Sequence, residues 1–130
     1  MQAAGNRLGS DYSEFDFQLS EGGQTISITN VMHDLVQKIQ AGKDLEAISQ
    51  WFHYSLVKTF TSISVELSRE TGIKQLVLSG GVFQNTLLFE GLQTELNKVG
   101  FDVFTHSQVP TNDGGIALGQ VIIGQKFLSF

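Results

Sequence analysis

The stretch from Gln75 to Thr105 constrains the fold of this chain more than any other feature. Two short apolar runs, 75–78 and 102–105, are typical of buried strands. Between them, apolar residues at helical spacing predict a helix over 86–99. Its inward positions are Leu88, Leu92, Leu96 and Val99. A crossover of this length makes the two strands parallel, so the sequence predicts an α/β fold.

Each of the two predicted strands is followed by a loop that contains paired glycines. The first loop reads S-G-G-V-F-Q-N over 79–85, and the second contains T-N-D-G-G over 111–115. Paired glycines let a backbone approach a ligand closely, and the helix that follows offers free N–H groups to a phosphate. Both loops leave the carboxyl ends of parallel strands. We therefore expect loops 79–85 and 106–115 to line one nucleotide-type crevice at the same sheet edge.

Four residues of these loops are candidates for the site, each with a plainer alternative. Gly80 and Gly81 either line a nucleotide or form a tight turn, since the loop is neither a P-loop nor a dinucleotide fingerprint. Asn85 either caps the following helix or contacts a ribose or phosphate, and spacing alone does not decide between them. Asp113 is either a cap or turn residue or a carboxylate ligand to a metal.

The histidines give no independent sign of a metal site. His33, His53 and His106 lack ligand spacing, so we expect the first two to be helix-surface or packing residues and the third a loop residue. Ser79, His106 and Asp113 could be assembled into a hydrolase triad. We reject that hypothesis because Ser79 lacks the G-x-S-x-G elbow of such enzymes.

The amino-terminal part predicts a hairpin after a loose lead-in over residues 1–14. Alternation of apolar and polar residues over 15–19 and 25–29, with glycines between them, is typical of two antiparallel strands. Together with the later strands, this hairpin predicts a mixed sheet within a single domain over 1–130.

Two helices are expected between the hairpin and the parallel unit. Asn30 is the expected cap of the first, which ends at Gly42, and the second runs from near Asp44 to Gly72. The predicted buried stripe of the second helix consists of Ile48, Trp51, Phe52, Ser55, Leu56, Phe60, Ile63 and Leu67. A further apolar helix is expected over 115–124.

Composition excludes several classes of protein. The chain has 130 residues and no cysteine, which removes disulfides, thiolate zinc sites and a cysteine nucleophile. A net charge of −5 offers no basic stripe, so we expect no direct nucleic-acid partner. No apolar run approaches a membrane span, and we expect a cytoplasmic protein without a membrane partner.

Three stretches together resemble the carboxyl-terminal part of the hydrogenase-maturation carbamoyltransferases, the HypF family. They are L-S-G-G-V-F-Q-N over 78–85, V-P-T-N-D-G-G-I-A-L-G-Q over 109–120, and F-H-Y-S-L over 52–56. The resemblance implies an actin-like (ASKHA, ribonuclease H-like) lobe, the second of a two-lobed carbamoyltransferase module. In such proteins carbamoyl adenylate, made from carbamoyl phosphate and ATP, is bound between the lobes beside a metal ion. The carbamoyl group then passes to the C-terminal cysteine of HypE.

Carried onto this sequence, the resemblance implies a role for each candidate residue. Gly80 and Gly81 would line the nucleotide, Asn85 would contact it, and Asp113 would be a ligand to a divalent metal, iron-like or magnesium. The other ligands would come from the first lobe, and the adenylate from a further domain. The chain alone is then expected to be inactive and to self-associate through its exposed interlobe face, whether it is a fragment or a split-gene subunit.

Two alternatives to this interpretation stay open at the level of sequence. One is another enzyme of the same fold, a tRNA threonylcarbamoyl transferase or a sugar-kinase-like phosphotransferase. The other is a non-catalytic interaction domain that keeps the fold for docking.

Overall fold

A computed structural model describes residues 12–13, 16–20, 23–109 and 112–128. Strands β1 and β2 are followed by helices α1 and α2, and then by β3, α3, β4 and α4 in chain order. Their bounds are β1 Asp16–Ser20, β2 Gly23–Ser27, α1 Thr29–Gln40, α2 Leu45–Thr71, β3 Gln75–Leu78, α3 Thr86–Lys98, β4 Asp102–Thr105 and α4 Ile116–Leu128.

The predicted hairpin and the predicted parallel pair are both present, but they do not share a sheet. β1 pairs antiparallel with β2, and β3 pairs parallel with β4. Within the described residues these are two separate two-stranded sheets, so the expectation of one mixed sheet was wrong. No described strand pairs with both the hairpin and the parallel pair.

The first helix begins two residues earlier than expected. α1 starts at Thr29, so Asn30 lies within its first turn and is not the cap. The hydroxyl of Ser27 instead accepts the backbone N–H of Thr29, at 3.4 Å. The predicted end is confirmed, because Gly42 adopts a left-handed φ of 67° just beyond the last turn.

Both ends of α2 follow the predicted signals. The carboxylate of Asp44 accepts the backbone N–H groups of Glu46 and Ala47 at 3.0 and 3.2 Å, as an N-cap does. At the other end Gly72 has a φ of 73°, and its N–H bonds to the carbonyl of Ser68 at 2.8 Å.

The long helix α2 packs against two different partners along its length. Its first turns join α1 in a small cluster of Val31, Ile48 and Trp51. Further along, Val57 is fully buried in the main core with residues of the parallel unit, namely Leu78, Leu88, Leu92, Leu96 and Phe101. The predicted stripe is therefore wrong at Phe60, which is 42% exposed, because the buried face rotates when the partner changes.

The parallel unit has one covered face and one open face. α3 and α2 cover the inner face, while Val77 and Phe104, which are register partners, are 66% and 53% exposed on the outer face. Val99 was expected to be buried but is half exposed. Because α3 ends at Lys98, Val99 lies beyond the helix, and Phe101 is the next buried apolar residue. At the carboxyl end of α3, the N–H of Phe101 donates a hydrogen bond to the carbonyl of Leu96 at 3.0 Å.

The last helix is longer than predicted and is apolar on its exposed surface. α4 reaches Leu128, beyond the expected end at residue 124. Its large exposed apolar side chains are Ile116, Leu118, Val121, Ile122, Ile123 and Phe127. None of the helices in the described ranges combines the length and hydropathy needed to cross a bilayer.

Candidate functional site

The two glycine loops meet at one edge of the parallel sheet, as the topology predicted. The hydroxyl oxygen of Ser79, just after β3, lies 2.8 Å from Nε2 of His106, just after β4. A β-carbon placed on Gly81 would lie 3.9 Å from the β-carbon of Asn112. The loops thus meet through Ser79 and His106, with Asn112 facing Gly81, and this confirms the prediction that they converge.

Glycine is required at Gly80 by the backbone itself. Its φ of 116° and ψ of 158° lie in a region that essentially only glycine adopts. The short 3-10 turn Gly81–Gln84 follows directly, and the N–H of Phe83 bonds to the carbonyl of Gly80 at 3.1 Å. The chain therefore turns sharply from β3 toward α3, which keeps the Gly80 and Gly81 backbone at the loop surface.

Asn85 caps α3 and also contacts α2. Its Oδ1 accepts the backbone N–H of Leu88 at 3.2 Å, which confirms the capping alternative. Its Nδ2 lies 2.7 Å from Nε2 of His53. His53 is thus a half-buried residue of α2 that packs against the start of α3, which agrees with the predicted packing role, although the bond to Asn85 was not predicted. Contact of Asn85 with a nucleotide stays a prediction.

Asp113 is an exposed residue at the start of a short 3-10 turn, Asp113–Gly115. The cap of this turn is its neighbour Asn112, whose Oδ1 accepts the N–H of Gly114 at 3.0 Å. Asp113 is thus a turn residue with a solvent-facing position. Over the described ranges no three His, Cys, Asp or Glu side chains gather in a way that could hold a metal ion. This chain's described residues alone do not fit a metal, which needs several ligands at once.

The pair of Ser79 and His106 does not extend to a hydrolase triad. Among the described residues, His106 bonds to Ser79 and not to Asp113. A triad needs a third group that orients the histidine, so the rejection of this hypothesis stands. The hydrogen bond between Ser79 and His106 connects the two loops at the sheet edge.

Helix α3, and with it Asn85, is fixed on α2 by a partly buried ion pair. Lys58 Nζ lies 2.8 Å from Glu95 Oε2, and Lys98 Nζ lies 2.6 Å from Glu95 Oε1. Burial raises the pKa of Glu95, but hydrogen bonds from the two lysines outweigh it and bring that pKa below its ordinary value. The hydrogen bond to Glu95 in turn raises the pKa of Lys58. This link adds to the apolar core that α2 and α3 share.

A separate open pocket lies beside α1, with a volume of about 370 Å³. It is lined by Ser13, Asp34, Gln37, Lys38, Ala41 and Lys43. None of these residues belongs to the glycine loops, so this pocket is not part of the candidate site.

Comparison with known proteins agrees with this geometry. Residues 2–120 match the family model described as carbamoyltransferase, Kae1-like domain, second subdomain. The chain belongs to this carbamoyltransferase family. The matched range includes both glycine loops and all four candidate residues, and the sequence resemblance to the HypF family is thereby confirmed.

Individual HypF proteins support the assignment. Carbamoyltransferase HypF2 of Cupriavidus necator is 34% identical over 101 residues, which is 78% of this chain and 12% of that protein. Carbamoyltransferase HypF of Synechocystis is 36% identical over 75 residues, which is 58% of this chain and 9% of that protein. The chain thus spans about a tenth of the length of these relatives.

Solved structures of the family share the fold. A full-length HypF crystallised in a phosphate- and nucleotide-bound form matches with a TM-score of 0.82 and 35% identity, over 94% of this chain and 16% of that one. HypF of T. kodakarensis matches with a TM-score of 0.73 and 25% identity, over 97% of this chain. The α/β arrangement described above is therefore the arrangement of this family.

Proposed function

We propose that this chain is the second lobe of a HypF-type carbamoyltransferase of the cytoplasm and forms one wall of its carbamoyl adenylate site. The observation that carries the proposal is the meeting of loops 79–85 and 106–115 at the carboxyl edge of two parallel strands, in a chain of the carbamoyltransferase family. The related HypF crystal structure contains phosphate and nucleotide, which is the ligand class such an edge suits.

In this proposal the glycine loops bind the nucleotide through both backbone and side-chain groups. Gly80 and Gly81 present a backbone without side chains, along which a nucleotide can lie closely. Asn85 offers an amide to its ribose or phosphate, and the amino end of α3 offers free N–H groups. Asp113 would supply one carboxylate to a divalent metal, iron-like or magnesium, and the first lobe would have to supply its other ligands.

The reaction we propose is carbamoyl transfer from carbamoyl adenylate to the C-terminal cysteine of HypE. The thiolate sulfur bonds to the carbamoyl carbon, the bond from that carbon to the AMP oxygen breaks, and AMP leaves. ATP and carbamoyl phosphate supply the adenylate in a further domain. The family relatives favour this reaction over the tRNA-modifying and kinase alternatives.

The exposed apolar surfaces support a larger assembly. Parallel sheets are covered on both faces in native proteins, yet Val77 and Phe104 are exposed on one face here. A helix that is apolar around its circumference is normally buried, and α4 exposes most of its apolar side chains. We propose that the remaining subdomains pack on these two surfaces.

The test uses the assembled protein, meaning this chain together with the first lobe and the adenylate-forming domain of the family. It should transfer the carbamoyl group to the C-terminal cysteine of HypE and release AMP when ATP and carbamoyl phosphate are present, whereas the adenylate-forming domain without the two lobes should not. The isolated chain should transfer none, since half a site lacks the enclosure that makes a pocket tight. Transfer by the isolated chain or by the adenylate-forming domain alone, or none by the assembled protein, would contradict the proposal.

A further inference from the structure

The side chains of His53 and Asn85 form a hydrogen-bonded chain that is anchored at both ends by backbone groups. At one end, Nδ1 of His53 lies 2.7 Å from the carbonyl oxygen of Ser49. At the other end, Oδ1 of Asn85 accepts the N–H of Leu88 at 3.2 Å. Between them, Nε2 of His53 lies 2.7 Å from Nδ2 of Asn85.

The two backbone groups determine which atoms of His53 and Asn85 donate and which accept. A carbonyl oxygen only accepts, so Nδ1 of His53 carries the proton and donates it to Ser49. Nε2 of the neutral ring is then an acceptor. The N–H of Leu88 only donates, so the Asn85 oxygen faces it and the Asn85 nitrogen faces His53. The amide of Asn85 therefore cannot turn over without losing both bonds.

This arrangement leaves a defined part of the amide for a ligand. One N–H of Asn85 is bonded to His53 and one lone pair of its oxygen to Leu88, so the second N–H and the second lone pair stay available. Asn85 itself is exposed beside the glycine loop. A fixed N–H donor at this place suits a phosphate or ribose oxygen.

We propose that His53 is a positioning residue, which holds the Asn85 amide in the one orientation that presents its free N–H to the nucleotide. This inference rests on the proposed function, because it assigns Asn85 to the nucleotide. His53 acts from α2, 32 residues away in the chain, and does so without touching the ligand. α2 and α3 lie side by side because Val57 of α2 is buried against the core residues of α3.

The first test measures the ATP affinity of this chain assembled with the first lobe alone, so that the adenylate-forming domain cannot contribute, with four variants. His53→Ala should weaken binding about five- to tenfold, the loss expected when a hydrogen-bonding group is no longer held in place. His53→Gln places an amide oxygen near the position of Nε2 and should restore most of the affinity. His53→Asn is too short to do so and should behave like His53→Ala. His33→Ala, on the exposed side of α1, is the matched control and should bind normally.

A double-mutant cycle separates positioning from a structural role. Asn85→Ala and the double variant with His53→Ala should bind ATP equally weakly, because His53 acts only through Asn85. A structural role would instead lower stability in every variant, including His53→Gln, and would add to the Asn85 effect. Additive losses, or normal binding by His53→Ala, would overturn the inference while leaving the proposed function intact. A wild-type protein of the two lobes that binds no ATP would overturn the proposed function and this role together.

The ring nitrogens can also be observed directly. In ¹⁵N NMR spectra of the 130-residue chain, Nδ1 of His53 should be protonated and Nε2 unprotonated. The opposite tautomer would overturn the inference whatever the affinities show.

Discussion

At the scale of single residues, the backbone conformation requires glycine at Gly80 but not at its neighbour Gly81. Gly80→Ala should lower the free energy of unfolding by about 1–3 kcal/mol, because the φ of 116° is strained for any side chain. Gly81→Ala is the matched control, since nothing lies closer than 3.9 Å to its added carbon, and it should change stability by less than about 1 kcal/mol. Chemical denaturation of the isolated chain measures both. Equal losses would contradict the conformational argument.

A second residue-scale prediction concerns Asp113. In the assembled protein, Asp113→Asn should abolish carbamoyl transfer and reduce bound metal, since an amide is a weaker ligand for a hard cation than a carboxylate. In the isolated chain the same change should alter stability by only ~0.5 kcal/mol, because Asp113 is an exposed turn residue. Wild-type transfer together with wild-type metal content would reduce Asp113 to a turn residue.

The sequence predicted the local roles of these residues better than their distant contacts. The capping role of Asn85 was visible as one alternative, because a cap depends only on the next few residues. Its bond to His53 was missed, because that contact depends on how α2 packs on α3. The only available signal was that His53 lies in the F-H-Y-S-L stretch of the family resemblance, which names no partner for it.

At the scale of elements, the ion pair between α2 and α3 makes stability depend on pH. The pKa of Glu95 lies below its ordinary value of 4.5, so its stabilising effect is complete above that pH and is lost as the pH falls through the lowered pKa. Glu95→Gln should lower the free energy of unfolding by about 1 kcal/mol at pH 7 and flatten its acid dependence. Denaturation between neutral and acidic pH checks this.

The control for this pair is Glu66, which bonds to Arg69 on the exposed side of α2 at 3.0 Å. Glu66→Gln should leave both stability and acid dependence almost unchanged, because exposed ion pairs contribute little. An effect as large as that of Glu95→Gln would show that burial between the helices is not what makes the Glu95 pair stabilising.

Element boundaries and element faces differ in how far the sequence determines them. Asp44 and Gly72 mark the ends of α2 by local hydrogen bonding and backbone conformation, and both were predicted. The exposure of Phe60 was not predicted. It arises because α2 packs against α1 in its first turns and against α3 further along. A single stripe cannot describe a helix with two neighbours on different sides.

At the scale of the whole molecule, the open apolar surfaces predict self-association of the isolated chain. Large exposed apolar patches associate in water, and α4 carries Ile122 and Phe127 at 59% and 76% exposure. Changing both residues to glutamate should shift the chain from oligomer to monomer in sedimentation experiments. A wild-type chain that stays monomeric at high concentration would contradict our assignment of α4 to an interface.

The central claim is that this lobe forms one wall of a nucleotide site where its two glycine loops meet. The most direct test is calorimetric titration of ATP into this chain assembled with the first lobe alone, without the adenylate-forming domain, with wild-type Gly81 and with Gly81→Leu. A leucine side chain would fill the gap that separates Gly81 from Asn112, so binding should be lost while the variant chain keeps its fold. Unchanged ATP affinity in a correctly folded Gly81→Leu protein would contradict the account.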